Sequence, residues 1–287
     1  MTASQPITPE LRAWIIEQAS AGVSAQSVFK AMVDAGWNED VAESAMEKVL
    51  TEHLQSVQGA NTEIATQISR PLPEPALMDQ PGSIDVGDRQ VSVLLSMKHP
   101  RIVVFGNLLS DEECDAIIAS AQPRMKRSLT VETKTGGEEV NADRTSDGMF
   151  FQREETPVVA TLERRIAKLV NWPESHGEGL QVLHYRPGAE YKPHYDYFDP
   201  SQPGTPTILK RGGQRVATLV IYLNNPEAGG GTSFPDVGVE VAPRRGNAVF
   251  FSYATPEPST KSLHGGSPVV RGEKWIATKW LREGEFK

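Results

Sequence analysis

A single cysteine, Cys114, in 287 residues rules out an internal disulfide and agrees with a reducing compartment. It lies in Glu112-Glu113-Cys114-Asp115-Ala116-Ile117-Ile118, where it reads as a helix core residue rather than a nucleophile. No run of about 18 apolar residues occurs, which excludes a membrane-spanning helix. The stretch Met1-Thr2-Ala3-Ser4-Gln5-Pro6 has neither the basic nor the apolar region of a signal peptide, so a cytoplasmic location is expected. Positive charge is also short: 29 Lys and Arg against 37 Asp and Glu leave a formal net charge of −8. Phosphate contacts need a basic face, so neither a nucleic acid nor a membrane is expected as partner. The apolar content of 38% still supports a packed core, and the length suits one large domain plus a small one.

Residues 8–54 carry apolar side chains at helical spacing, at Leu11, Trp14 and Ile15, at Val28, Ala31 and Met32, and at Val41, Ala45, Met46, Val49 and Leu50. Ser24 and Asn38 are placed as N-caps, and Ala35-Gly36-Trp37 makes a turn, so a three-helix module is predicted. It faintly resembles ubiquitin-associated modules, and a docking or oligomerisation role with an unknown partner is expected. Residues 55–98 contain Arg70-Pro71-Leu72-Pro73-Glu74-Pro75 and Gln80-Pro81-Gly82-Ser83 with little periodicity, the composition of a linker. Residues 99–287 then form the main domain. Within it Ser110 caps one helix, and Val158, Leu162, Ile166 and Val170 mark another. Strand-like runs follow at 180–185, 191–198, 216–223, 237–241, 248–253, 262–265 and 274–281. Many short strands without intervening helices predict an α+β fold on a sandwich or barrel, and a jelly roll leaves room for a ligand inside.

Chemistry concentrates in the later runs. In Tyr191-Lys192-Pro193-His194-Tyr195-Asp196-Tyr197-Phe198, strand alternation puts His194 and Asp196 on one face with Cα atoms about 6.6 Å apart. With His264 they supply two imidazoles and a carboxylate. Non-haem Fe(II) oxygenases use that set and leave other positions open, although zinc hydrolases use it too. His194 and His264 stand 70 residues apart in sequence. Closing that loop costs about 4 kcal/mol, so a rigid sheet must bring them together. The run Lys274-Trp275-Ile276-Ala277-Thr278-Lys279-Trp280-Leu281 places Lys274, Ile276, Thr278 and Trp280 on one face. A lysine on an apolar inner face needs an anion. If that anion is the far carboxylate of 2-oxoglutarate, the charges of Fe(II), Asp196, the keto acid and Lys274 cancel, and the ion pair is worth about 1.5 to 3 kcal/mol.

Several bland assignments accompany these. His184 is expected to point away from the metal, His176, His99 and His53 to lie on the surface or in the linker, and Tyr195 and Tyr197 to face opposite to the ligands. Gly229-Gly230-Gly231 lacks the strand-to-helix context of a nucleotide loop and reads as a turn.

Leu180-Gln181-Val182-Leu183-His184-Tyr185-Arg186-Pro187-Gly188, the His194-Tyr195-Asp196 motif, Gly229-Gly230-Gly231-Thr232-Ser233-Phe234-Pro235, and the run from His264-Gly265-Gly266-Ser267-Pro268-Val269 to Gly272-Glu273-Lys274-Trp275 together resemble the prolyl 4-hydroxylases. These are 2-oxoglutarate and Fe(II)-dependent dioxygenases, and the likeness spans roughly residues 100–284. It implies a double-stranded β-helix core with flanking helices. It also implies that His194, Asp196 and His264 hold Fe(II), that Lys274 anchors 2-oxoglutarate, and that Tyr185 and Thr232 contact this cosubstrate. Arg144-Thr145-Ser146 resembles part of a mobile loop over the peptide. Arg215 and Trp280 match positions lining the substrate groove, with solvent exposure the competing assignment for Arg215. The implied reaction consumes O2, releases succinate and CO2, and hydroxylates peptidyl proline at C4, with ascorbate keeping the iron reduced. Collagen-modifying members carry a peptide-binding helical-repeat domain that this sequence lacks, so a proline in a cytosolic protein or a proline-rich peptide is the expected target. The same chemistry on another side chain or a small metabolite, and a non-catalytic binding protein working through residues 8–54, are the alternatives.

Overall fold

The computed structural model describes residues 7–20, 24–52, 71–77, 82–128, 130–131, 138–139 and 144–287. It divides into two compact units, Met1–Pro71 and Leu72–Lys287. In the first, helices Pro9–Ser20 and Ala25–Asp34 precede a third over residues 39–52. The Ser24 hydroxyl accepts the Ser27 amide proton at 3.2 Å, and Asn38 Oδ1 accepts that of Asp40 at 3.0 Å, so both predicted caps satisfy helix-start donors. Ile15, Val28, Met32, Ala45 and Val49 form the core that their helical spacing predicts. No described helix is long and apolar enough to cross a membrane.

The second unit is built on a nine-stranded antiparallel sheet. Its order is Ser83–Asp85, Gln90–Met97, Arg101–Gly106, Ala248–Ser252, Arg215–Tyr222, Lys274–Arg282, Leu180–Tyr185, Asp147–Phe151 and Lys126–Arg127. A four-stranded sheet runs Val239–Val241, Thr232–Phe234, His264–Gly266, Tyr191–His194. The central strands Arg215–Tyr222 and Lys274–Arg282 are buried along their whole length, because both faces of the large sheet are covered. One face presents Leu219, Ile221, Trp275 and Ala277 to Cys114 and Ile117 of helix Asp111–Ala121 and to Leu162 and Ile166 of helix Pro157–Leu169. The other presents Val220, Tyr222 and Ile276 to Phe234 and Val241 of the small sheet. Two antiparallel sheets facing one another in this way form the jelly roll, with the site between them.

Three expectations need correction. Residues 55–70 and 78–81, and with them His53, lie outside the described residues, but residues 72–77 and 82–98 of the expected 55–98 linker belong to the second unit. The Glu74 amide donates to the Val170 carbonyl at 2.8 Å, and Ser83–Asp85 and Gln90–Met97 are the first two strands of the large sheet, Ser83–Asp85 at its edge. The core therefore starts near Leu72 rather than at 99. The strand signal of Gln90–Met97 is weak because a bulge between Val93 and Leu95 breaks the alternation and leaves Leu94 57% and Leu95 41% exposed. The run expected at 191–198 ends at His194, and Asp196 sits in a bend. The strand expected at 237–241 starts at Val239, because Pro235–Val237 forms a 3-10 turn closed by Gly238 at φ +63°.

Candidate active site

Register brings the two histidines together. Strands Tyr191–His194 and His264–Gly266 pair antiparallel with His264 directly opposite His194, and the rings lie 4.4 Å apart. The 70-residue connection is closed by backbone hydrogen bonds, as the loop entropy requires. Asp196 completes the set, with Oδ1 3.6 Å from His194 Nε2 and Oδ2 3.3 Å from His264 Nε2. All three ligand atoms fall within 4.8 Å of one another. Each ring pairs its Nδ1 with a backbone carbonyl, His194 with Lys192 at 2.9 Å and His264 with Ser262 at 3.0 Å. That bond holds the proton on Nδ1 and turns the Nε2 lone pair toward the shared space. Burial, reinforced by His264, pushes the His194 pKa down. Burial opposes the charge on Asp196, but the two histidines outweigh it and hold the carboxyl well below the usual carboxylate range. Two imidazole nitrogens and a carboxylate gathered at one point are the donor set a divalent transition metal requires, so the residues present fit Fe(II).

The same cavity reaches Lys274, which is 2% exposed and lies 5.3 Å from the Tyr185 ring centre. No hydrogen bond or ion pair to its ammonium forms among the described residues. Burial pushes its pKa down to about 8 against the pull of Glu240. A buried cation without a directly paired counter-charge is costly, which suits this end of the cavity to receiving an anion. The Gly229-Gly230-Gly231 turn is built against it: Gly230 adopts φ +73°, and a Cβ there would come within 3.1 Å of Lys274 Cδ. Thr232 follows, accepting the Tyr222 phenol proton at 2.7 Å, which leaves its own hydroxyl proton for the cavity it lines.

The family of proteins that shares this arrangement is evident from comparison. The model of the 2OG-Fe(II) oxygenase superfamily matches residues 180–282. Probable prolyl 4-hydroxylase 3 of Arabidopsis thaliana is 41% identical over 222 residues, covering 70% of this chain and 75% of that protein. The chain belongs to the prolyl 4-hydroxylase family. It is a 2-oxoglutarate and Fe(II)-dependent dioxygenase. Prolyl 4-hydroxylase 5 of the same plant is 41% identical over 70% of this chain and 74% of its own length. Among solved structures, the viral collagen prolyl hydroxylase of Paramecium Bursaria Chlorella virus-1 matches with 30% identity, 63% of this chain, 95% of that chain and a TM-score of 0.48.

The positions the family resemblance assigns to substrate divide in the structure. Trp280 and Arg144 line the cavity. Trp280 is buried, and its indole N–H has no acceptor among the described residues. Arg144 is buried, donates to Gln181 Oε1 at 2.7 Å and stands over the Tyr191 ring. In the segment that follows it, Thr145 bonds Glu190, and the Ser146 and Ser128 hydroxyls lie 3.0 Å apart. Arg215 is neither solvent-exposed nor on the cavity wall. Its guanidinium is paired with the Glu178 carboxylate at 2.6 and 2.9 Å and stacked 4.0 Å from the Trp280 ring centre. Glu178 also accepts from Arg282 at 2.6 Å, so three charges are buried together. Sequence gave no cue to Glu178, which falls in a turn remote in sequence from Arg215.

Among the bland assignments, His184 points away from the metal set: it stacks on Trp275 at 4.2 Å and pairs with the Glu273 carboxylate at 2.9 Å. His176 packs edge-on against Trp172, and His99 is exposed. Tyr195 and Tyr197 stack on each other at 4.8 Å. Cys114 is fully buried in its helix, and burial pushes its thiol up to about 11.

Proposed function

We propose that this enzyme hydroxylates a prolyl residue of a peptide or protein at C4, consuming 2-oxoglutarate and O2 and releasing succinate and CO2. The observation that carries it is one cavity holding the His194, Asp196 and His264 donor set at one place and, at another, a buried Lys274 with no hydrogen-bond or ion-pair partner among the described residues, in a chain that is 41% identical to plant prolyl 4-hydroxylases. Fe(II) bound by the three residues supplies oxygen activation coupled to decarboxylation of the keto acid. Lys274 would pair with the distal carboxylate of 2-oxoglutarate, and the hydroxyl of Thr232 and the ring of Tyr185 would orient it. Tyr185, Leu183, Val220 and Ile276 give this part of the cavity apolar walls that exclude water. Trp280, whose indole N–H has no acceptor among the described residues, and Arg144 form the substrate side, where a peptide carbonyl would accept from the indole. Arg215 acts on that side through Trp280 rather than by touching substrate. Ascorbate serves as the reductant that keeps the iron ferrous, and a cytoplasmic peptide is the target, in keeping with the lone buried cysteine. The N-terminal unit is an interaction module whose partner is unassigned.

The test is incubation with Fe(II), 2-oxoglutarate, ascorbate and a set of proline-containing peptides. Expected are succinate and the gain of one oxygen atom on proline. Succinate without oxygen on any proline would move the reaction to another side chain or a metabolite. No iron-dependent succinate at all would leave a binding protein.

A further inference from the structure

Asp196 has no strand to orient it. The strand Tyr191–His194 ends two residues earlier, so the alternation that aims His194 does not extend to the carboxylate. What holds it comes from the opposite sheet. Thr218, fully buried in strand Arg215–Tyr222, donates its hydroxyl proton to Asp196 Oδ2 at 2.7 Å. The Tyr253 phenol lies 3.0 Å from the same Thr218 oxygen. A threonine hydroxyl has one proton, and Thr218 gives it to Asp196, so Tyr253 is the donor in the second bond. With the Nδ1 protons of His194 and His264 directed at carbonyls, Thr218 is the side-chain donor to the carboxylate among the described residues. Tyr253 is fixed in turn, since its amide donates to the Val216 carbonyl at 3.0 Å and its ring packs against Tyr197 and Phe251.

We propose that Thr218 and Tyr253 are positioning residues, a two-hydroxyl relay that holds the Asp196 carboxylate in the metal-binding orientation the backbone bend leaves undetermined. The proposal rests on His194, Asp196 and His264 being the Fe(II) ligands. A hydrogen bond to a charged acceptor in a dry interior is strong and directional. Outer partners of metal-bound groups typically change metal affinity by about 10–100-fold when removed. Strand Arg215–Tyr222 pairs with Lys274–Arg282 on one side, so the element that aims Asp196 is also bonded to the strand carrying Lys274.

The experiment is anaerobic titration of the full chain with Fe(II), together with the visible absorption of the Co(II)-loaded protein, in wild type, Thr218→Val, Thr218→Ser, Tyr253→Phe, T218V/Y253F and His264→Ala. Thr218→Val keeps the side-chain shape and loses the hydroxyl. It is expected to weaken Fe(II) binding by about 10–100-fold and to alter the Co(II) spectrum, with Thr218→Ser restoring both. Tyr253→Phe is expected to weaken binding less, and to add nothing when Thr218→Val is already present, because the two hydroxyls act in series. Unchanged affinity and spectrum in a folded Thr218→Val would overturn the proposal, as would additive effects in the double variant. If Thr218→Val does not fold, wild-type affinity and spectrum in Tyr253→Phe overturn it alone. His264→Ala separates the two levels: equal Fe(II) affinity in His264→Ala and wild type would refute the ligand set itself rather than the relay.

Discussion

Lys274 is held in a state that costs stability until an anion arrives, and this makes its behaviour measurable. Lys274→Ala is expected to raise the apparent KM for 2-oxoglutarate by roughly 10–150-fold, the equivalent of about 1.5 to 3 kcal/mol for a charged hydrogen bond, with Fe(II) affinity unchanged. Steady-state kinetics beside a metal titration checks the split. In the free protein its pKa is pushed down to about 8, and a bound carboxylate favours the ammonium and raises that value. Cosubstrate affinity is therefore level below pH 8 and falls as pH rises above it, by roughly tenfold per unit until the raised value of the complex is reached. Calorimetric titration from pH 7 upward reads this directly, and an affinity independent of pH would remove the charge from the explanation. Asp196→Ala and His264→Ala are each expected to abolish iron-dependent succinate formation, scored by product analysis.

Strands rather than single side chains create the metal donor set, since His194 and His264 meet only through cross-strand register. Gly265 lies in that contact: a Cβ there would come within 2.9 Å of the Tyr191 carbonyl oxygen and 3.1 Å of Pro193 N. Gly265→Ala is therefore expected to force the two histidine strands apart, at a cost of about 1–3 kcal/mol, and to weaken Fe(II) binding at the same time. Thermal unfolding with a parallel metal titration detects both. The Glu178, Arg215 and Arg282 cluster joins strands Arg215–Tyr222 and Lys274–Arg282 to the turn before Leu180–Tyr185. Glu178→Gln would leave two buried guanidinium groups without an anion, and is expected to cost about 3–5 kcal/mol in urea unfolding. Strand alternation predicted the inward face of Lys274–Arg282, because a strand buried on both sides still alternates between two different environments. It misplaced the end of Tyr191–His194, because an aromatic-rich run looks extended whether or not it finds a partner strand.

The two units differ in what they contribute. A fragment of residues 72–287 contains the two facing sheets and every residue of the cavity, and it is expected to keep its cooperative melt and its 2-oxoglutarate turnover, as circular dichroism and succinate assays would register. Truncation at 99 is expected to fail, since it removes Gln90–Met97 from the large sheet and exposes the backbone of Arg101–Gly106. Residue chemistry was legible in the chain because it is local: two histidines, an aspartate and an out-of-place lysine carry their meaning in type and spacing, and helices declare themselves by caps and periodicity. Three matters were settled only on folding. The register that sets His264 against His194, the pairing that occupies Arg215 with Glu178, and the donation from Thr218 to Asp196 all join residues distant in sequence. No local pattern encodes such contacts, because their free energy exists only once the two sheets have closed on each other.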